Sequence, residues 1–322
     1  MNAVLIVGGL ALLVVGAEFL VRAGTALATW LGIRPMIIGL TVVSLGTSAP
    51  ELAIGIDASL NGSPALAVGN IVGTNLVNIL LILGLSALLV PLALQRSTLR
   101  LELPAMTIAT ALLVVLSLDG TLSSIDGLVF LLTGILYTAI LLRSARRGGA
   151  NLPEALDVDA PTPTPTSAQV RPGREVLLLL LGLGVIVVGA ELLVTGSVSM
   201  ARQFDVSEAV IGLTIIAIGT SAPEFVTTIV STVRGNRDIA IGNLIGSSIY
   251  NIGIVLGVTV LVAPGRVPVP DDVLAADMIL LAAVAAITVP VFVSGSRVSR
   301  IEGALFVAAY VAYVTWLLTT RI

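Results

Sequence analysis

The chain has no cysteine, no histidine and no lysine. Without the first two there is no disulfide, no thiol chemistry, no haem ligation and none of the usual zinc sites, so any bound metal must be held by oxygen. Charge is scarce as well. Charged residues make up 11% of the 322, the net charge is -3, and no basic cluster is interleaved with aromatics, which excludes the electrostatic footprint of a nucleic-acid partner. No nucleophile-base pair or cofactor motif accompanies the acids, so an enzyme is the weakest reading. What the chain does have is apolar bulk: 57% hydrophobic residues and a mean hydropathy of +1.10, outside the range of soluble domains. It reads as an all-α integral membrane protein in the lipid bilayer. Many apolar segments approach or exceed the roughly 18–20 residues that carry a helix across about 30 Å of hydrocarbon, and they lack the short alternation of a membrane barrel.

Gly, Pro, Asn and charged residues punctuate these runs into spans near 3–28, 36–60, 65–91, 103–118 and 125–143, then near 175–200, 209–234, 238–263, 273–294 and 301–319. The expectation is ten transmembrane helices. The first lies at the N-terminus, whose apolar stretch has no basic leader and outruns a signal peptide. Residues 144–174 carry a Pro/Thr run and mixed charge that cannot bury a core, and read as a disordered linker in which Asp157 and Asp159 are solvated charges.

The two sets of spans repeat each other. GAEFLV at 16–21 answers GAELLV at 189–194, IGLT at 38–41 answers IGLT at 211–214, Gly69-Asn70 answers Gly242-Asn243, and Pro91 answers Pro264, always 173 residues apart. Five spans per unit is an odd number, so the second unit (175–322) enters the membrane from the side opposite to the first (1–143), giving two inverted-topology repeats. Arginine placement agrees with that reading: with the N-terminus outside, the cytoplasmic segments hold twelve arginines and the outside holds Arg202, Arg266 and Arg321. Both termini are then extracellular and the linker cytoplasmic, in a plasma membrane. Arg22 lies inside the first span, where Glu18, four residues earlier, is its expected partner. Glu18 and Glu191 read as structural. The glycines at Gly8, Gly9 and Gly16 read as helix-packing or sliding surfaces, since no strand precedes them as a nucleotide loop would require.

The hexapeptide GTSAPE occurs at 46–51 and again at 219–224, each time near the middle of a span. An acid at that depth costs roughly 2.5–3.5 kcal/mol on insertion scales. No lysine exists and no arginine lies near either acid in sequence, so the compensating charge is a mobile cation or proton. Ser44, Thr47, Ser48 and Glu51 fall at spacings 0, 3, 4 and 7, on one helical face, and Ala217, Thr220, Ser221 and Glu224 repeat the spacing. Pro50 and Pro223 lack an amide hydrogen, which deprives the carbonyls of Gly46 and Gly219 of their helical donors. On the following spans, Thr74 and Asn78, with Ser247 and Asn251, stand one turn apart at comparable depth. Carboxylates, hydroxyls, amide oxygens and carbonyls supply the six to eight oxygens at about 2.3–2.6 Å that calcium prefers, while magnesium and soft metals fit less well. Sodium, also a hard cation, is able to occupy parts of the same cage.

The paired segments GTSAPEL…GNIVGTNLVNILLILG and GTSAPEF…GNLIGSSIYNIGIVLG resemble the two alpha-repeats of the sodium/calcium exchanger family, in the bacterial and archaeal type, within the cation/calcium antiporter superfamily. They occupy 36–91 and 209–264. The resemblance implies a ten-helix antiporter that exchanges calcium for sodium at mid-membrane by alternating access, with sliding first and sixth helices. It implies no cofactor. Carried over by position, the ion ligands are Thr47, Ser48, Glu51, Thr74 and Asn78, then Thr220, Ser221, Glu224, Ser247 and Asn251, with the carbonyls of Ser44 and Ala217. Some members carry Asp in the place of Asn251. With Asn there, the site has two formal negative charges, neutralised by one calcium and left at +1 by three sodium ions. Proton/calcium exchange at the same cage is therefore the nearest alternative. A cation channel, or a calcium-binding membrane protein without coupled exchange, is the alternative from another class. The linker is too short and too poor in paired acids for the cytosolic calcium-sensing domain of animal exchangers. The oligomeric state is not legible.

Overall fold

Inside a bilayer every backbone N–H and C=O has to be satisfied within the segment, which leaves long apolar runs no alternative to helix. The computed structural model describes residues 2–93, 98–148, 170–204 and 217–320. In chain order its helices are α1 (Asn2–Leu31), α2 (Pro35–Leu60), α3 (Pro64–Leu89), α4 (Leu103–Leu116), α5 (Ser124–Gly148), α6 (Pro172–Gln203), α7 (Ala217–Thr220 with Ala222–Val233), α8 (Arg237–Val262), α9 (Val273–Val293) and α10 (Arg300–Thr320). Among the described residues eight of these, all but α4 and α7, are long and apolar enough to cross a membrane. A π-helical turn at Thr98–Glu102 lengthens α4 at its start. Most of the expected linker, and residues 205–216 with the second IGLT, lie outside the described residues.

α3 and α8 form the centre: 78% of the apolar window of each is buried, against 22% for α10. α1 and α6 form an outer pair. Gly9 lies against Gly189 and Gly16 against Gly182, so the contact order runs backwards along α6 and the helices are antiparallel. A β-carbon on Gly9 would stand 2.7 Å from the Gly189 carbonyl oxygen. Glycine is what permits this backbone-to-backbone approach.

Other contacts come in matched pairs. α5 rests on α8 at Gly127 and Gly257, and α10 rests on α3 at Gly303 and Gly84. Two short antiparallel pairs link the ends of the spans: β1 (Leu92–Ala93) with β4 (Arg297–Val298), and β2 (Thr121–Leu122) with β3 (Val267–Pro268). α5 and α10 each begin with a reciprocal cap. The Ser123 backbone N–H and hydroxyl both donate to Asp126 at 2.7 Å, and those of Ser299 donate to Glu302 at 2.7 Å. These caps stand 176 residues apart rather than 173, because the loop after Pro264 is two residues longer than the one after Pro91 and one more residue is added before the second cap.

Glu18 takes a different partner from the one expected. Its carboxylate meets Arg234, at the end of α7, at 2.9 Å, while Arg22 is exposed. Sequence spacing favours a neighbour one turn away, but α7 packs on α1 and brings a longer-range partner closer.

Candidate ion-binding site

α2 and α7 bend at equivalent places. Ser48 has φ -82° and ψ 7°, and Ser221 φ -85° and ψ 4°, both short of full helical winding. The cause is two residues downstream, where Pro50 and Pro223 offer no N–H and press on the carbonyl four positions back. Beyond each bend a new helical stretch begins, and Glu51 and Glu224 stand in its first turn. The positive end of the helix dipole favours a negative group there.

α3 and α8 loosen where their amides sit. π-helical turns run over Val77–Leu83 and Asn251–Leu256, enclosing Asn78 and opening with Asn251. Such single widened turns recur at functional sites. α7 packs against the π turn of α3, and α2 against that of α8. The acid-bearing helix of each half thus lies on the amide-bearing turn of the other.

Glu51 and Glu224 are both 0% exposed and close enough to feel each other's charge. The Ser48 hydroxyl bridges the halves, donating to Glu224 Oε1 at 3.2 Å. Among the described residues several polar atoms around them lack partners: both oxygens of Glu51, Oε2 of Glu224, the whole amides of Asn78 and Asn251, and the hydroxyl of Ser247. Leaving a buried polar atom unsatisfied costs about 1–3 kcal/mol, more for a charged group. Among the described residues no arginine pairs with either acid. Unpaired oxygens around two adjacent carboxylates are a donor set for a hard cation, and they fit calcium or sodium.

The remaining expected ligands divide. Thr47, Thr74, Thr220 and Ser221 are buried, and Thr47 donates to Asn243 Oδ1 at 3.2 Å. The Ser44 hydroxyl is taken up by backbone, donating to Gly39 O at 2.6 Å beside the Asn243 carbonyl at 3.1 Å. Equal helical spacing put it on the face of Thr47 and Glu51, but the widened turn at Gly39–Val43 of α2 brings the Gly39 carbonyl within its reach, with α8 close beside. The Ser44 carbonyl accepts the Ser48 N–H at 3.0 Å and is the other acceptor within reach of the Thr47 hydroxyl, at 3.3 Å. Of Ala217 the helical backbone is described.

Sequence reasoning missed a second duplicated constellation. Glu102 closes the π-helical turn that leads into α4 and Asp277 the one that opens α9, and both are buried. Tyr313 on α10 donates to Asp277 at 3.0 Å, and its counterpart Tyr137 on α5 lies in the electrostatic range of Glu102. The signal was present as an acid pair at an offset of 175, hidden by the change of register after the third span.

A sodium/calcium exchanger family model matches residues 1–143 and 174–319 of this chain. The chain belongs to the sodium/calcium exchanger family. It is 41% identical to inner membrane protein YrbG of Escherichia coli (strain K12), with 82% of this chain and 80% of that one covered. It is 30% identical to the sodium/calcium exchanger MaX1 of Methanosarcina acetivorans over 97% of each chain. Its fold is similar to that of the sodium-calcium exchanger NCX_Mj, with a TM-score of 0.82 and 29% identity over 98% of this chain and 97% of the other. The family is one of transporters rather than enzymes, and its sodium and calcium ions are substrates. The exchanger chain described here is accordingly a multi-pass membrane protein.

Proposed function

We propose that the chain is a secondary antiporter that exchanges calcium for sodium by alternating access at a single cage between Glu51 and Glu224. The observation that carries this is the convergence of two buried, adjacent carboxylates with the unpartnered amides of Asn78 and Asn251 and the Ser247 hydroxyl. Thr47, Ser48, Thr74, Thr220 and Ser221 complete the cage, with the carbonyls of Ser44 and Ala217. The reading includes two inverted-topology five-helix units, 1–143 and 175–322, joined by a cytoplasmic linker at 144–174, with alpha-repeats at 36–91 and 209–264 and both termini outside the cell. The exchanged contacts between halves support it: α5 on α8 mirrors α10 on α3, and β1 with β4 mirrors β2 with β3.

Exchange needs no covalent chemistry. One dehydrated calcium neutralises the two carboxylates, and sodium competes for the same oxygens, so a cage open to one side at a time couples the two gradients. The test is radiocalcium uptake into proteoliposomes under separately imposed sodium and proton gradients. Uptake should follow the outward sodium gradient and vanish in Glu51→Gln and in Glu224→Gln. Uptake driven by the proton gradient alone would favour proton/calcium exchange, and flux indifferent to either gradient would favour a channel.

A further inference from the structure

The two halves of the site are not held alike. On α8, Asn243 is fully buried, and its side chain reaches two other helices. Its Oδ1 accepts from Thr47 Oγ1 on α2 at 3.2 Å, while its Nδ2 donates to Thr228 Oγ1 at 3.1 Å and approaches the Glu224 carbonyl at 3.5 Å, both on α7. An amide that accepts from one helix and donates to another is a two-ended brace, and it spans the point where Ser48, next to Thr47, bonds Glu224.

Asn70 is the counterpart of Asn243, 173 residues earlier, yet its Nδ2 has no partner among the described residues. The reason is legible in the chain. Thr228, the acceptor on α7, is answered on α2 by Gly55, which has no side chain to accept a hydrogen bond. Thr259 Oγ1 packs against Gly55 instead and is itself unpartnered. Glu224 therefore has a braced backbone and one bonded oxygen, while Glu51 has neither oxygen bonded.

We propose that Asn243 is a positioning residue that fixes Thr47 and Glu224 as a preformed part of the cation site, a support that the Glu51 carboxylate lacks. This rests on the exchanger reading above. Thr47, its proton within reach of Asn243 Oδ1, keeps its lone pairs for a cation. A ligand fixed in advance spares the ion the cost of ordering it, so the brace acts on affinity more than on the rate of the transition between open sides.

The test combines equilibrium radiocalcium binding with sodium-gradient-driven uptake on full-length protein. Losing one such hydrogen-bonded brace should raise both the calcium Kd and KM of Asn243→Ala about tenfold, with little change in maximal rate. Thr228→Val should weaken binding in the same direction, and Thr228→Ser, which keeps the hydroxyl, should restore it. Asn70→Ala should leave Kd unchanged. Should Asn243→Ala fail to fold, the Thr228→Val and Thr228→Ser pair decides alone. Wild-type Kd in Asn243→Ala, equal losses in Thr228→Val and Thr228→Ser, or an equal loss in Asn70→Ala would each overturn the brace while leaving wild-type exchange intact. A wild-type chain that binds no calcium would instead overturn the exchanger reading, and the brace with it.

Discussion

Glu51 and Glu224 are fully buried acids without a basic counter-charge among the described residues. That combination sets the sign of whatever visits the site. It also makes residue 251 decisive, because its amide is buried, unpartnered and neutral. Asn251→Asp would raise the count of formal negative charges from two to three, so three sodium ions would be neutralised while one calcium would leave the site at -1. The half-saturating sodium concentration for calcium efflux from loaded proteoliposomes should therefore fall several-fold; an unchanged value would mean that position 251 does not face the ions. At this scale much was legible in advance, since a carboxylate in an oily run with no lysine in the chain has few explanations. What spacing could not give was direction. Ser44 shares the periodicity of Thr47 and Glu51, yet its hydroxyl is drawn to the Gly39 carbonyl of its own helix beside α8, and Asn243, visible in sequence as a repeat marker, acquires its role from which helices lie within reach of its amide.

Among elements, the outer pair α1 and α6 offers a contrast one residue wide. A β-carbon on Gly9 would strike the backbone of α6, whereas nothing lies within 4 Å of one on Gly8. Gly9→Val should destabilise the purified protein by about 1–3 kcal/mol, as overpacked interiors do, and lower its thermal midpoint, while Gly8→Val should melt as wild type does. Equal midpoints would contradict the backbone contact. The caps are a second case: Ser123→Ala or Ser299→Ala should each lower stability by roughly 0.5–2 kcal/mol, measured by the same melts, and an effect within experimental error would mean that lipid or protein packing holds those helix starts without them. The apolar spans were readable because composition alone separates oil from turns. The π-helical turns at Val77–Leu83 and Asn251–Leu256 were not, for one extra residue in a turn leaves hydropathy unchanged. Nor was the Glu18 to Arg234 pair, which joins residues far apart in the chain.

For the whole molecule, the pairing of short strands constrains the route of the chain. β2 with β3 brings the end of α4 to the end of α8, and β1 with β4 brings the end of α3 to the end of α9. In the inverted-repeat reading the first pair is extracellular and the second cytoplasmic. The natural absence of cysteine makes the test clean: a membrane-impermeant maleimide applied to intact cells should label Gly265→Cys and spare Arg297→Cys, both at exposed positions. Labelling of both from outside would break the topology. The central claim, that two acids from the two halves hold one cation between them, is met most directly by counting bound calcium at equilibrium in purified protein. One calcium per chain, displaced by sodium and lost in Glu51→Gln and in Glu224→Gln taken singly, is the expected result. Binding that survives either substitution, or two independent calcium ions per chain, would contradict it.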